Sequence, residues 1–105
     1  MSSTFNEKCY SLIKKIQKGK ITTYKCIAKA LGTKAYKAVG NAMHNNPSLY
    51  KIPCHRVIKS NGDVGGFVLG KKEKIKLLKS EGIPIKSNKI QNFNKFLFKF
   101  QKTSA

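Results

Sequence analysis

Residues 22–44 read TTYKCIAKALGTKAYKAVGNAMH. Thr22 or Thr23 offers a side-chain oxygen to cap a helix. Tyr24, Ile27, Ala28 and Leu31 then fall on one helical face, and Gly32 stops the run. A second helix follows at once, with Thr33 as its expected cap. Ala35, Ala38, Val39 and Ala42 form its inner face, while Tyr36, Lys37, Gly40, Asn41 and His44 fall on the other side. Asn45-Asn46-Pro47 ends it. Two short helices joined by a tight glycine-containing turn form a helix-turn-helix. The outer face of the second helix is low in its middle, at Gly40 and Asn41, so its backbone can approach a partner closely.

The flanks build a small domain around this pair. Thr4-Phe5-Asn6-Glu7 reads as a capping box, and Phe5, Cys9, Leu12, Ile13 and Ile16 share one face of a helix that Gly19 ends. That face gives Cys9 a core role. On the other side, Cys54 to Ile58 reads as a short strand, Ser60-Asn61-Gly62-Asp63 as a turn, and Lys71 to Ser80 as a helix with Ile75 and Leu78 inward. Gly82 suits the position after a helix end, and Pro84 prevents continuation. From Lys86 onward, Ile90, Phe93, Leu97 and Phe100 have helical spacing, which predicts an amphipathic helix docked on the domain. The expected class is mainly α with a small β element: one helix-turn-helix, winged-helix-like domain over 1–85, and a Lys/Phe-rich extension over 86–105.

The chain has 105 residues, a size that supports one modest core. Its formal net charge is +18, and 21 of its 22 basic residues are lysine. Such an imbalance draws a protein to polyanions, with nucleic acid the leading partner and a membrane surface second. A lysine-favouring solvated surface would give the same composition. The three cysteines, Cys9, Cys26 and Cys54, are widely spaced and contain no CxxC pair, so neither a disulfide framework nor a zinc site is expected. A reducing, intracellular setting and a monomer fit best. No apolar run approaches the roughly 20 residues of a membrane helix, and no signal-peptide pattern opens the chain.

The chemistry concentrates in Ile52-Pro53-Cys54-His55-Arg56-Val57. A thiol lies beside an imidazole, with the sole arginine next in line. Cysteine is a nucleophile only as thiolate, and cationic neighbours lower its pKa. Proline fixes the backbone before Cys54. A small buried core cysteine is the alternative.

These residues together resemble the C-terminal domain of the O6-alkylguanine-DNA alkyltransferases (methylated-DNA–protein-cysteine methyltransferases). Six landmarks from about Phe5 to Gly82 carry the likeness: 19–24 (GKITTY), 38–43 (AVGNAM), Asn46-Pro47, 52–57 (IPCHRV), Gly65-Gly66-Phe67 and 77–82 (LLKSEG). The resemblance implies a protein that binds duplex DNA, flips out O6-alkylguanine and transfers the alkyl group irreversibly to Cys54. It makes His55 the base acting through water, Glu81 its orienting acid, Asn46 a brace of the active-site turn and Tyr24 a contact to the flipped base. Tyr24, Tyr36, Lys37, Gly40, Asn41 and His44 would meet DNA, and Met43, Phe67 and Val68 would line the pocket. No metal or cofactor is implied, and the family's usual N-terminal domain is not represented. Arg56 is expected to serve the structure of the loop.

Two departures stand out. Lys37 replaces the family's usual intercalating arginine and lacks its planar guanidinium. Val68 stands where some members carry a hydroxyl. A relative that recognises the lesion without transfer is therefore the second reading, although such proteins usually replace the cysteine. A basic helix-turn-helix architectural protein and a cysteine hydrolase are more distant alternatives.

Overall fold

The computed structural model describes residues 4–48 and 51–100. Helix α1 (Phe5–Ile13) starts at the expected capping box: Thr4 Oγ1 accepts the Glu7 N–H at 3.1 Å, and Glu7 Oε1 accepts the Thr4 N–H at 3.2 Å. It ends earlier than expected. Beyond Ile13 the chain tightens into i→i−3 bonds, from Lys15 to Leu12 and from Ile16 to Ile13, before Gly19 turns it at a φ of +88°. Ile16 stays buried all the same.

Strand β1 (Thr22–Thr23) leads directly into α2 (Tyr24–Ala30), and Thr23 is the cap, accepting the Cys26 N–H at 2.9 Å. Removing that oxygen leaves a first-turn donor unpaired, so Thr23→Ala should lower unfolding stability by about 1 kcal/mol in a urea titration. Gly32, at a φ of +72°, turns the chain toward α3 (Tyr36–His44). Here the expected cap is corrected. Ala35 occupies the cap position without a side-chain bond, while Thr33 Oγ1 accepts the Ala35 N–H at 3.1 Å and shapes the turn ahead of the helix. Val39, Ala42 and Met43 are buried on the inner face of α3, and Tyr36, Lys37, Asn41 and His44 are exposed. Tyr10 of α1 donates to the Ala42 carbonyl at 2.8 Å, tying α1 to α3.

Residues 54–58 are not one strand. Cys54–Arg56 wind as a single 3-10 turn, and only Val57–Ile58 form β2, which pairs in parallel with β1 through Thr22↔Val57 and Thr23↔Ile58. Helix α4 spans Lys71–Ser80 as expected, with Leu78 buried and Gly82 at a φ of +89° after its end.

The tail departs most from expectation. It is docked, but not as one helix. Ile85–Lys86 (β3) and Lys89–Ile90 (β4) form an antiparallel hairpin, followed by the single-turn helix α5 (Phe93–Phe96). Ser87, Asn88 and Asn92 adopt positive φ values of 51°, 65° and 55°, conformations that interrupt a right-handed helix wherever the apolar spacing would continue it. After α5 the chain pairs with the residue ahead of β1: Ile21 N–H bonds Phe96 O at 2.9 Å, and Phe98 N–H bonds Ile21 O at 2.7 Å. Residues 101–105 of the expected extension lie outside the described residues. Two core clusters result. Cys9, Ile13, Ile27, Val39 and Cys54 belong to one; Ile21, Ile58, Val64, Leu78, Ile83 and Ile90 form the other, which Phe93 and Phe96 cover. No helix among the described residues is long and apolar enough to cross a membrane.

Candidate active site

The loop that presents Cys54 is built by its backbone. Cys54 N–H bonds Ile52 O at 2.8 Å, and Pro53 between them sits at φ −77°, ψ 67°. That is an inverse γ-turn, for which the proline ring supplies the φ in advance. Asn46 braces the approach from below: its Nδ2 donates to Ile52 O at 2.7 Å and its Oδ1 accepts the Ser48 N–H at 2.8 Å.

The two residues after Cys54 enter a buried polar chain. His55 Nε2 stands 2.9 Å from Glu81 Oε2. An ionised carboxylate only accepts, so the neutral imidazole carries its proton on Nε2 and leaves Nδ1 as the basic nitrogen. Arg56 grips the same carboxylate with a fork, Nε to Oε1 at 2.8 Å and Nη2 to Oε2 at 2.7 Å, and sends Nη1 to Ile16 O at 2.8 Å. Arg56 is thus a structural strut, as expected, but the strut acts on Glu81 itself. Burial works against ionisation of Glu81, yet the bonds from Arg56 and His55 hold its carboxyl below the usual range. Burial also lowers the basicity of His55, despite the pull of Glu81, and leaves the imidazole neutral near pH 7. Burial pushes the Cys54 thiol up, with Asn46 and Lys74 partly offsetting it. At rest the site therefore holds a thiol and a neutral imidazole.

Lys74 is the site residue that the sequence reading missed. Its side chain is fully buried in α4 and donates to Val57 O at 2.6 Å and Gly66 O at 3.0 Å. It joins the strand leaving Cys54 to the glycine loop, and its Nζ lies 5.9 Å from the centre of the Tyr24 ring. Burial lowers its pKa to about 8. Lys74, Leu78 and Glu81 follow at i, i+4 and i+7, one face of the helix, which is the signal that could have found it.

In front of the thiol opens a cavity of about 350 Å³ lined by Tyr24, Gly40, Met43, His44, Cys54, Gly66, Phe67 and Val68. Every lining residue except Gly66 was a sequence-based candidate. Phe67 also sets its ring edge-on to His55, with centroids 6.5 Å apart. Val68, 47% exposed, gives this wall a methyl surface with no donor. Tyr36, Lys37 and Asn41 lie outside the cavity on the exposed side of α3. His55, Glu81 and Asn46 do not line the cavity: Asn46 bonds the carbonyl of Ile52 ahead of Cys54, and His55 bonds Glu81. A wider, open hollow of about 520 Å³ over Asn92, Phe93, Asn94 and Lys95 holds no nucleophile.

A helix-turn-helix whose second helix forms one wall of a cavity lined by a thiol places the chain among helix-turn-helix folds with a cysteine at a surface cavity. The family model described as 6-O-methylguanine DNA methyltransferase, DNA binding domain, matches residues 4–83, and the chain belongs to that family. A methylated-DNA–protein-cysteine methyltransferase of Metallosphaera sedula is 45% identical over 85 residues, covering 81% of this chain and 53% of that protein. The chain thus spans about half the length of the curated relatives it matches. Among solved structures, the O6-methylguanine-DNA methyltransferase of Pyrococcus kodakaraensis superposes with a TM-score of 0.70 at 40% identity, over 77% of this chain and 47% of that one. S. pombe Atl1, in complex with damaged DNA containing O6-carboxymethylguanine, gives 0.78 at 29% identity, over 90% of this chain and 94% of that one.

Proposed function

We propose that this chain is a DNA repair protein that extrudes O6-alkylguanine from duplex DNA and transfers the alkyl group to Cys54. The observation that supports this reading is Cys54 in the cavity wall, followed in the chain by His55, whose ring is held by Glu81 at 2.9 Å. His55 Nδ1 takes the thiol proton through a water, and Glu81 stabilises the imidazolium. The thiolate attacks the saturated alkyl carbon in line. A sulfur–carbon bond forms as the carbon–O6 bond breaks, and the electron pair leaves with guanine. The proton shed by the thiol ends on guanine, so the products are a thioether and a neutral base. Tyr24, at the cavity wall, meets the developing charge on the base. A thioether has no route back, so each molecule acts once.

Extrusion costs a few kcal/mol. The low outer face of α3 at Gly40 and Asn41 suits groove entry, and the exposed Lys37 on the same helix fills the vacated stack in this reading. The many lysines supply sequence-independent affinity for phosphate.

The similarity to Atl1 along nearly the whole of that protein favours one second reading, recognition of the alkylated base without transfer. Intact-protein mass spectrometry separates the two. After incubation with a duplex containing O6-methylguanine, the protein should gain one methyl group per molecule, and Cys54→Ala should gain none. Tight binding with no mass gain would establish the second reading, and indifference to the lesion would sink both.

A further inference from the structure

The rim of the cavity carries a cluster that the helix-turn-helix does not account for. Asp63 closes the turn after β2, and its Oδ1 accepts the Gly65 N–H at 2.8 Å, directly ahead of the cavity-lining Gly66, Phe67 and Val68. Three lysines neighbour it, from the loop after β2, from α4 and from β4. Lys59 bonds Asp63 through the backbone at 2.9 Å, Lys71 of α4 places Nζ 3.8 Å from Oδ1, and Lys89 of β4 faces Asp63 across a β-bridge. All three are exposed, and one carboxylate offsets only one of the three charges. The cluster adjoins the site: the Cγ of Lys59 lies 3.5 Å from where a Cβ on Gly65 would stand, a point also 3.6 Å from the Tyr24 hydroxyl. Lys89 lies beyond residues 4–83, so the tail completes the group.

Concentrating like charge costs repulsion unless an anion relieves it. A nucleotide seated in the cavity would bring its flanking phosphates to the cavity's edge, and α3 supplies a different wall from this cluster. We propose that Lys59, Lys71 and Lys89, gathered around Asp63, form a second phosphate-contact edge that grips the DNA strand bearing the extruded nucleotide. The inference rests on the alkyl-transfer reading, but its principal test does not.

The test is the salt dependence of binding to an undamaged duplex, for wild type, Lys89→Gln and the triple variant Lys59→Gln/Lys71→Gln/Lys89→Gln. Each phosphate contact contributes about 0.9 to the slope of log K against log salt. The triple variant should be shallower by about 2 to 3, Lys89→Gln by about 1, and Lys79→Gln, at the far end of α4, by much less than 1. A companion assay compares alkyl transfer from lesion duplex with transfer from free O6-benzylguanine. The triple variant should lose at least about tenfold more on the duplex. An unchanged slope in both Lys89→Gln and the triple variant would overturn the proposal, as would a Lys79→Gln effect equal to that of Lys89→Gln. Absence of transfer from either substrate in wild type would instead overturn the alkyl-transfer reading and leave the slopes to decide the phosphate edge.

Discussion

Replacing Glu81 by glutamine is expected to slow alkyl transfer by on the order of a hundredfold, because it disables the base without moving the nucleophile. Glutamine keeps the shape of the side chain and drops its charge. The amide can turn either its oxygen or its NH2 toward His55, so the proton is no longer fixed on Nε2, and the imidazolium formed during transfer loses its counter-charge. Arg56 loses more. Its side chain is only 15% exposed, and its guanidinium has both carboxylate oxygens as partners. Removing one member of a buried ion pair leaves the other charge uncompensated, at a cost of about 3 kcal/mol. The pH dependence carries a sign that checks the assignment. The Glu81 carboxyl is held below its usual range, so its contribution to stability is present above the unfolded pKa near 4 and disappears as the pH falls through the lower folded value. Wild type should lose its stability margin over Glu81→Gln on acidification through that window. Single-turnover transfer and urea titrations at several pH values test both parts. A wild-type transfer rate in Glu81→Gln would show that His55 needs no orienting carboxylate.

Much of this architecture was legible because local chemistry and tertiary packing agree. Thr4 and Glu7 close their capping box, Thr23 caps α2, and the inner and outer faces of α3 divide as the spacing of Val39 and Ala42 requires. Cys54 was legible for a different reason: a proline, a thiol and an imidazole in succession form a turn whose geometry the backbone alone sets. What escaped depends on partners distant in sequence. The Glu81 fork joins residues 25 positions apart and then reaches Ile16 O, which no periodicity reports. The tail misled because Phe93 and Phe96 do pack against the second core, but on a chain broken by asparagines in the left-handed region. Lys74 escaped because it sits among Lys71, Lys72, Lys76 and Lys79, where each lysine looks like part of a solvated face. Its place on one helix face with Leu78 and Glu81, and the groups opposite it, two loop carbonyls and a tyrosine ring, distinguish it.

That distinction makes Lys74→Met the most informative single change. Methionine fills the channel of the lysine stem but donates nothing, so the carbonyls of Val57 and Gly66 are left facing an apolar side chain. An unpaired buried carbonyl costs about 1–3 kcal/mol, offset here by relief from burying an ammonium. The net change depends on pH. The folded pKa of Lys74 is about 8, below the ordinary value of 10.5, so the folded protein binds fewer protons than the unfolded chain between those values. Wild-type stability therefore receives a contribution from this residue that grows as the pH rises from about 8 to 10.5, by at most about 3 kcal/mol. Lys74→Met lacks it, so the difference in unfolding free energy between the two proteins should widen across that range. The chemical consequence runs through Cys54. A nearby ammonium favours thiolate, and its removal should move the iodoacetamide-reactivity midpoint of Cys54 to higher pH. Transfer to Cys54 at neutral pH should fall by about tenfold or more, since the glycine loop and the Tyr24 wall lose their shared tether as the thiolate loses its counter-charge. If the Cys54 reactivity profile stays in place while stability falls, Lys74 is a strut for the two carbonyls and has no part in activating the nucleophile.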